Sequence, residues 1–494
     1  MVIDQEYINK LSELSNEVLK DKSLSPAARL LIQTLLMTTQ LLFTELQKAN
    51  GEIAALKERV RELELMVNKD SHNSHLPPSS DRRKRYPKKD KKSRNSSGGQ
   101  KGHKGSTLRT SANPDQKVEH KLKGNCNRCG TWLPSIDKKA PLKRQVFDIE
   151  FQVKVTEHEA ESGICGCGKK HTAQFPEGVN AHVQYGSAVR ALVNYLSSYQ
   201  MIPFDRLEEI FKDLFKLDLC EGTIFNTNQA SFKKLQSFEK KIKEALLNSD
   251  INHADETPIK VAKKQSYLHV LSNEAMTLIV PHASRGMKAV NEIGVLPNYE
   301  GILCSDFFNM YYTCYYVKNA SCHSHLSREL TLLEEEFKLR WAHELRRFFL
   351  DLNDYMDEYR DENKPLPADE KQIFYEEFKR IILKAKIETA DWNQSGKKTV
   401  AANLLARIIR HETSVLRFMN DHRVPFTNNL AERDLRMAKV RQKVSGCFRS
   451  IEGAKIYARL RSYLSTVKKQ GRNVWEALKI LHLYKNPRYI ELFT

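Results

Sequence analysis

Three acidic side chains in this sequence have the types and settings that hold a divalent metal ion: Asp255, Asp306 and Glu432. Asp255 lies in HADET, just past a predicted strand over Asp250–Ala254, and Asp306 lies in CSDFF, just past a predicted strand over Gly301–Ser305. Glu432 belongs to TNNLAERDLR (427–436), where Asn429-x-x-Glu432 reads as a helix start with an acidic residue at its third position. Carboxylates from adjacent strand ends and a packed helix can converge on one point. Mg²⁺ takes oxygen ligands and keeps open water positions. Two such ions roughly 3.5–4 Å apart can activate an attacking oxygen and stabilise a leaving one in phosphodiester chemistry. Each acid also has a plain structural reading. Asp255 can start a turn before Pro258, Asp306 can cap a helix from Phe307, and Glu432 can close a capping box with Asn429. Their joint appearance in a β-β-β-α-β…α order favours the metal site. Glu256 and Asp434 are set aside: strand alternation points Glu256 away from Asp255, and Asp434 lies about 200° round the helix from Glu432.

The formal net charge of +19 over 494 residues points to a polyanionic partner, DNA first. Between Arg82 and Lys104 there are eleven Lys or Arg against one acid. Arg82, Arg83, Lys84, Arg85, Lys88, Lys89, Lys91 and Lys92 form its densest part, a sequence-blind phosphate-binding tract. Arg285, Arg433, Arg436, Lys439 and Arg441 lie around the acidic blocks and are candidates to hold phosphates. The pairs Cys126-x-x-Cys129 and Cys165-x-Cys167, 35 residues apart, can close a tetrahedron around a structural Zn²⁺. Gly130, Gly166 and Gly168 stand where the chain must turn, and His171 is close enough to substitute for a ligand. An odd total of nine cysteines suits a reducing compartment. Met1–Lys10 carries both charge signs and no apolar core, and the longest uncharged run, Leu30–Thr44, is 15 residues. No secretion signal or membrane span is therefore expected, and the expected location is cytoplasmic.

The elements around these residues indicate a multidomain α+β chain. Within residues 1–69, apolar positions from Ile32 to Val67 step alternately by three and four, with Thr39 and Ala49 the weak places. That is a coiled-coil seam, in which Glu52 would face Lys57 and Arg59 would face Glu64 of a parallel partner, so a homodimer or higher oligomer is expected. An amphipathic helix packed on its own protein is the alternative. Residues 70–118, rich in Ser, Gly, Pro, Lys and Arg, read as a flexible basic linker. Residues 119–180 are read as the zinc ribbon, with strands suggested by the alternation in Arg144–Thr156. Residues 181–247 are read as a helical, helix-turn-helix-like DNA-binding region. The sheet and acidic blocks occupy 248–323 and 416–450, a charged helical segment fills 324–415, and helices close the chain over 451–494.

Taken together and in order, these blocks resemble the transposases of the IS66 insertion-sequence family. NSHLPPSSD (73–81), GGQKGHKG (98–105), the CxxC…CxC pair, HADETPIKV (253–261), SDFFNMY (305–311), NNLAERDLR (428–436) and VSGCFRSIEGAKIYARLRS (444–462) carry the resemblance. It implies an RNase H-like α/β catalytic core with a helical insertion at 324–415. It also implies that Asp255, Asp306 and Glu432 are DDE ligands for catalytic Mg²⁺ or Mn²⁺. The implied activity is cleavage at the ends of an insertion sequence and strand transfer to target DNA in a bacterial, nucleoid-associated setting. Accessory proteins of the same element are implied as possible partners. The rival reading is a degenerate, non-catalytic DNA-binding protein using the coiled coil, basic tract and zinc module. Two blocks depart from the family pattern: Phe307-Phe308 replaces Gly-Tyr after Asp306, and Cys322-His323-Ser324-His325 replaces Cys-Trp-Ala-His, with His325 at the family position.

Overall fold

The computed structural model describes residues 5–21, 23–69, 73–74, 108–390 and 400–484. The tract holding Arg82, Arg83, Lys84, Arg85, Lys88, Lys89, Lys91 and Lys92 lies outside the described residues. These residues fall into two compact units. One is bounded in the chain as Met1–Arg83, Cys304–Phe307 and Asn319–Asn428, the other as Lys84–Leu303, Phe308–Lys318 and Asn429–Thr494.

In chain order the elements begin with helices α1 (Gln5–Val18) and α2 (Pro26–Asn68), then strands β1 (Ser162–Ile164) and β2 (Lys170–Thr172). Helices α3 (Ser187–Asn194), α4 (Phe204–Phe215), α5 (Glu221–Lys234) and α6 (Gln236–Leu247) precede strands β3 (Ile251–Val261), β4 (Lys264–Ser272) and β5 (Thr277–His282). Helix α7 (Met287–Ile293) leads to β6 (Ile302–Ser305) and β7 (Lys318–Ser321). The remainder is helical: α8 (His323–Phe337), α9 (Arg340–Asp361), α10 (Ala368–Ala390), α11 (Val400–Arg410), α12 (Glu412–Val415), α13 (Arg417–Asn420), α14 (Asn429–Ser445), α15 (Ile451–Lys469) and α16 (Val474–Leu483).

The five long strands form one sheet in the order β5-β4-β3-β6-β7. The first three are antiparallel. β3 and β4 join through Ala262 and Lys263, both at positive φ (47° and 65°), as a two-residue hairpin turn of the I′ kind demands. Between β6 and β7, Lys318 N–H donates to Gly301 O (3.0 Å) and Cys322 N–H to Ser305 O (2.9 Å). The offset is the same at both ends, so these strands run parallel and the sheet is mixed.

The core of the unit that holds β3–β5 forms because alternate strand residues are apolar on both faces. One face buries Ala254, Leu271 and Leu278 with Phe238, Leu246 and Tyr463. The other buries Ile259, Val261, Leu268 and Val270 under Ala431, Leu435 and Ala438 of α14. α15 closes the free edge of β5, where the N–H groups of Ile279 and Thr277 donate to the hydroxyls of Ser462 (2.8 Å) and Thr466 (3.1 Å). An edge covered in this way offers no template for another strand.

Two sequence expectations are corrected here. β3 does not end at Ala254 but continues to Val261, so Asp255 is a mid-strand residue opposite Val270, and Pro258 lies within the strand opposite Tyr267. A polar run ending in proline reads locally as a strand stop. Burial of Ile259 and Val261 against α14 overrides that local preference. Arg144–Thr156 alternates but forms no strand, and Val146, Ile149 and Val155 are 91, 76 and 87 % exposed. Alternation stabilises a strand only where a second layer covers its apolar face. The strands of this region are instead β1 and β2, an antiparallel pair that flanks Cys165 and Cys167.

α4 and α5 lie in the segment expected to be helical, and Leu207, Phe211, Leu219 and Ile224 join them in a small core with Val193 of α3. The solvent stripe of α5, Gly222, Asn226, Ala230 and Lys233, carries a single cation. Its inner side holds a polar network in which Asn228 Oδ1 accepts from Asn194 Nδ2 (2.7 Å) and Ser197 Oγ (3.1 Å).

In the other unit, α8 packs on α9, α9 on α10, and α10 on α11. The Glu388 carboxylate accepts the N–H groups of Arg340 (3.0 Å) and Trp341 (3.1 Å), a cap for the start of α9 supplied from α10. α2 begins where Ser25 accepts the N–H of Ala28 with Pro26 in the first turn. Leu35, Leu42, Leu46, Ile53, Leu56, Val60, Leu63 and Val67 on its seam are all 46 % exposed or more. Among the described residues, no helix is long and apolar enough to cross a membrane.

Candidate active site

Asp255 and Glu432 belong to the same unit. Along β3, Asp255 has the parity of Ile259 and Val261, the residues buried under α14. It therefore points to the face that α14 covers. Past the end of α14, Phe448 N–H donates to Lys260 O (2.9 Å) and Ala262 N–H to Phe448 O (2.8 Å), which brings the C-terminal end of the helix to the end of β3. Nearer its middle, Lys439 Nζ donates to Pro258 O (3.1 Å). Helix and strand thus advance in the same direction. Glu432 lies two turns before Lys439, about 10 Å at ~1.5 Å per residue. Asp255 lies three residues before Pro258, about 10 Å at ~3.3 Å per residue. Stepping back along both elements from the Lys439–Pro258 contact leads toward Glu432 on the helix and Asp255 on the strand.

Glu432 takes this place because Ala431, Leu435 and Ala438 turn into the sheet and leave it half-buried at their flank. The amine of Lys439 is held below its ordinary value by burial, and the charge of Asp255 opposes that shift. Asp255 Oδ1 accepts the N–H of Glu256 (2.8 Å), so the carboxylate is oriented by its own strand.

Asp306 belongs to the other unit. It is half-buried and directly follows β6, as expected. No helix starts at Phe307. The next helical turn is Tyr311–Thr313, so the capping reading of Asp306 is not what the fold uses. Within this unit the guanidinium of Arg407 stacks 4.7 Å from the ring of Phe307, which sets the residue after Asp306. His325 lies in the first turn of α8, half-buried, three residues after the buried Cys322.

The two acids set aside at the sequence level have other partners. Glu256 is buried and bound to the guanidinium of Arg285 at 2.7 Å from Nε and 2.6 Å from Nη2, while Tyr311 Oη donates to its second oxygen at 2.5 Å. Asp434 is buried with Lys469 at 2.8 Å and accepts from Thr277 Oγ1 at 3.1 Å. Burial holds the Lys469 amine below its ordinary value, against the charge of Asp434.

Sequence reading missed the Glu256–Arg285–Tyr311 cluster because it grouped Arg285 with the phosphate contacts. The signal was available: alternation turns Glu256 toward the buried face, where a carboxylate needs a cation. Among the remaining basic candidates, Arg433 and Arg436 are exposed one turn apart on α14, whereas Arg441 stacks on Phe448 (5.2 Å) and Tyr457 (4.9 Å).

Each cysteine pair sits in a tight turn. Gly130 N–H donates to Cys126 O (2.9 Å) and Gly168 N–H to Cys165 O (2.8 Å). Gly130 and Gly168 adopt positive φ (74° and 85°), where glycine is favoured, whereas Gly166 does not. Cys165 Sγ and Cys167 Sγ are 2.6 Å apart. The Cys129 thiol is lowered to about 7, chiefly by its bond from Thr131, and the Cys165 thiol to about 7, chiefly by Cys167. Each pair thus offers thiolate donors on a turn, the chemistry that zinc requires. Among the described residues, the four sulfurs do not gather within 4.8 Å of one another.

The family model described as "Transposase IS66 family" matches residues 182–456, more than half of the chain. It spans the helices α3–α6, the whole mixed sheet and α14. Residues 21–109 match a second family, described as a family of unknown function. No curated protein matches the chain. A mixed α+β protein, with its acidic residues on β3, after β6 and on α14, and with this match across all three, belongs to the IS66 family of transposases.

Proposed function

We propose that this transposase is a DDE enzyme, in which Asp255, Asp306 and Glu432 hold Mg²⁺ or Mn²⁺ on an RNase H-like core. What supports the reading is the run of α14 along β3, with Lys439 on Pro258 and Phe448 on Lys260, over the strand face that Asp255 shares with Ile259 and Val261. The donor set is all carboxylate, the oxygen chemistry that these ions prefer. Bound there, the metal would lower the pKa of the attacking hydroxyl and stabilise the leaving oxygen. The chain's own residues orient and hold the DNA: Asp255 is fixed by the N–H of Glu256, Arg433 and Arg436 face solvent beside Glu432 to take backbone phosphates, and Lys439 stands beside Asp255. Cleavage at the element ends and joining of the freed 3′-OH to target DNA are the two reactions this arrangement serves.

The substrate is DNA, gripped in addition by the basic tract around Arg82–Lys92, by the helices of residues 181–247, and by a ribbon in which Cys126, Cys129, Cys165 and Cys167 share a structural Zn²⁺. α2 pairs with a second copy, so that two element ends are processed together. The test is nicking of supercoiled DNA bearing the element's ends. Wild type should nick with Mg²⁺ and join the ends, while Asp306→Asn should bind the same DNA with unchanged affinity and cleave none of it. A wild type that binds and never cleaves would establish the degenerate, DNA-binding alternative.

A further inference from the structure

We propose that Glu256, Arg285 and Tyr311 are positioning residues that lock the strand bearing Asp255 to the loop that follows Asp306. The inference rests on the reading of those two aspartates as metal ligands. Glu256 is the residue after Asp255, and its side chain turns to the opposite face of β3. It is no ligand candidate, but its own N–H holds Asp255 Oδ1 at 2.8 Å. Whatever fixes the backbone of Glu256 therefore fixes the Asp255 carboxylate.

What fixes it is unusually complete. The Glu256 side chain is 1 % exposed, with one oxygen on Arg285 Nε and Nη2 (2.7 and 2.6 Å) and the other on Tyr311 Oη (2.5 Å). Arg285 also lies 4.0 Å above the ring of Phe308, the second residue after Asp306. Tyr311 belongs to the same loop and is 2 % exposed. One guanidinium therefore binds the residue next to one aspartate and the aromatic ring just beyond the other. A planar fork that accepts a carboxylate edge-on and an aromatic ring on its face can do both at once, which a lysine cannot.

An aromatic ring at Phe308 supplies the surface on which Arg285 rests. Arg285 is thereby committed to the protein, although half of its side chain remains open to solvent.

Mn²⁺ binding by the full-length protein, read by the loss of the free-ion electron paramagnetic resonance signal, tests the inference without relying on turnover. Asp255→Asn and Asp306→Asn serve as references and should abolish tight binding. Glu256→Gln and Arg285→Gln should each weaken Mn²⁺ binding about tenfold, as removal of groups that orient metal ligands does. Their double variant should be little worse than either alone, because both break one lock. Arg285→Lys keeps the charge and the fold but loses the fork, and should remain weakened. DNA affinity and its salt dependence should match wild type in all of them.

If Asp255→Asn loses Mn²⁺ while folded Glu256→Gln and Arg285→Lys bind it like wild type, the lock is wrong and the metal site stands. Should Arg285→Lys and Arg285→Gln instead weaken DNA binding with a flatter salt slope and leave Mn²⁺ unaffected, Arg285 is a phosphate contact and the lock is overturned. Unchanged Mn²⁺ binding in Asp255→Asn and Asp306→Asn would show that the metal reading itself has failed.

Discussion

The backbone N–H of Asn428 donates to the Sγ of Cys322 at 3.1 Å, between residues 1 % and 2 % exposed. Cys322 N–H in turn donates to Ser305 O, one residue before Asp306, and His323 N–H donates to Phe426 O (3.0 Å). The segment leading into α14 and the strand end leading into Asp306 thus share a single buried anchor. The His323 ring reinforces it, stacked on Phe426 at 4.4 Å and edge-on to Phe349 and Phe418. Burial pushes the His323 imidazole down to about 3, so it is neutral at physiological pH and packs as an aromatic. Cys322→Ala strands a buried N–H and should lower stability by about 1–3 kcal/mol. Cys322→Ser keeps an acceptor and should lose less. Urea unfolding followed by circular dichroism gives both values.

Glu432 and Asp434 are two residues apart on α14 and should fail in opposite ways. Asp434→Ala leaves the amine of Lys469 buried without its carboxylate and should cost about 3–5 kcal/mol of stability. Glu432→Gln should melt like wild type and lose cleavage. Thermal unfolding and a nicking assay on both variants separate the two roles, and equal destabilisation would remove the distinction.

The exposed seam of α2 leads to an expectation about assembly. A helix of 43 residues with leucines at heptad spacing in solvent should pair in solution with a second copy, with Glu52 opposite Lys57 and Arg59 opposite Glu64. Sedimentation equilibrium should give a dimer or larger species for wild type. Leu42→Lys/Leu56→Lys should give a monomer, and raised salt should weaken the pairing only modestly. A wild-type monomer at micromolar concentration would refute the pairing.

The thiols of Cys129 and Cys165, lowered to about 7 from the usual 9.0, should react as thiolates well below the pH at which an ordinary cysteine does. The sign is fixed by ionisation: below about pH 7 both are protonated and slow, and above it both are deprotonated and fast. Iodoacetamide labelling of the metal-free protein, read by mass spectrometry from pH 5 to 9, should show a midpoint near 7 for these two. Cys304, whose thiol burial pushes up, should remain unlabelled throughout. Added Zn²⁺ should protect the reactive pair.

The sequence by itself determined the acids worth attention, the helix that carries Glu432 and the faces to which Glu256 and Asp434 turn. Helical and strand periodicity are local properties, and a side chain's parity follows from them. Helix α14 starts at Asn429, the predicted N-cap position, and Gly130 and Gly168 take the left-handed turns that their spacing beside the cysteines requires. Local pattern could not determine how far β3 runs, because burial of Ile259 and Val261 under α14 is a contact made some 170 residues away in sequence. For the same reason the alternation in Arg144–Thr156 misled: a strand needs a partner layer along its length, and here Phe151 meets Phe215 while Val146, Ile149 and Val155 stay exposed. Only the tertiary structure decided that Arg285 is held by Glu256 rather than left free. A buried carboxylate takes the nearest cation that the fold supplies, and no spacing in the sequence names that cation.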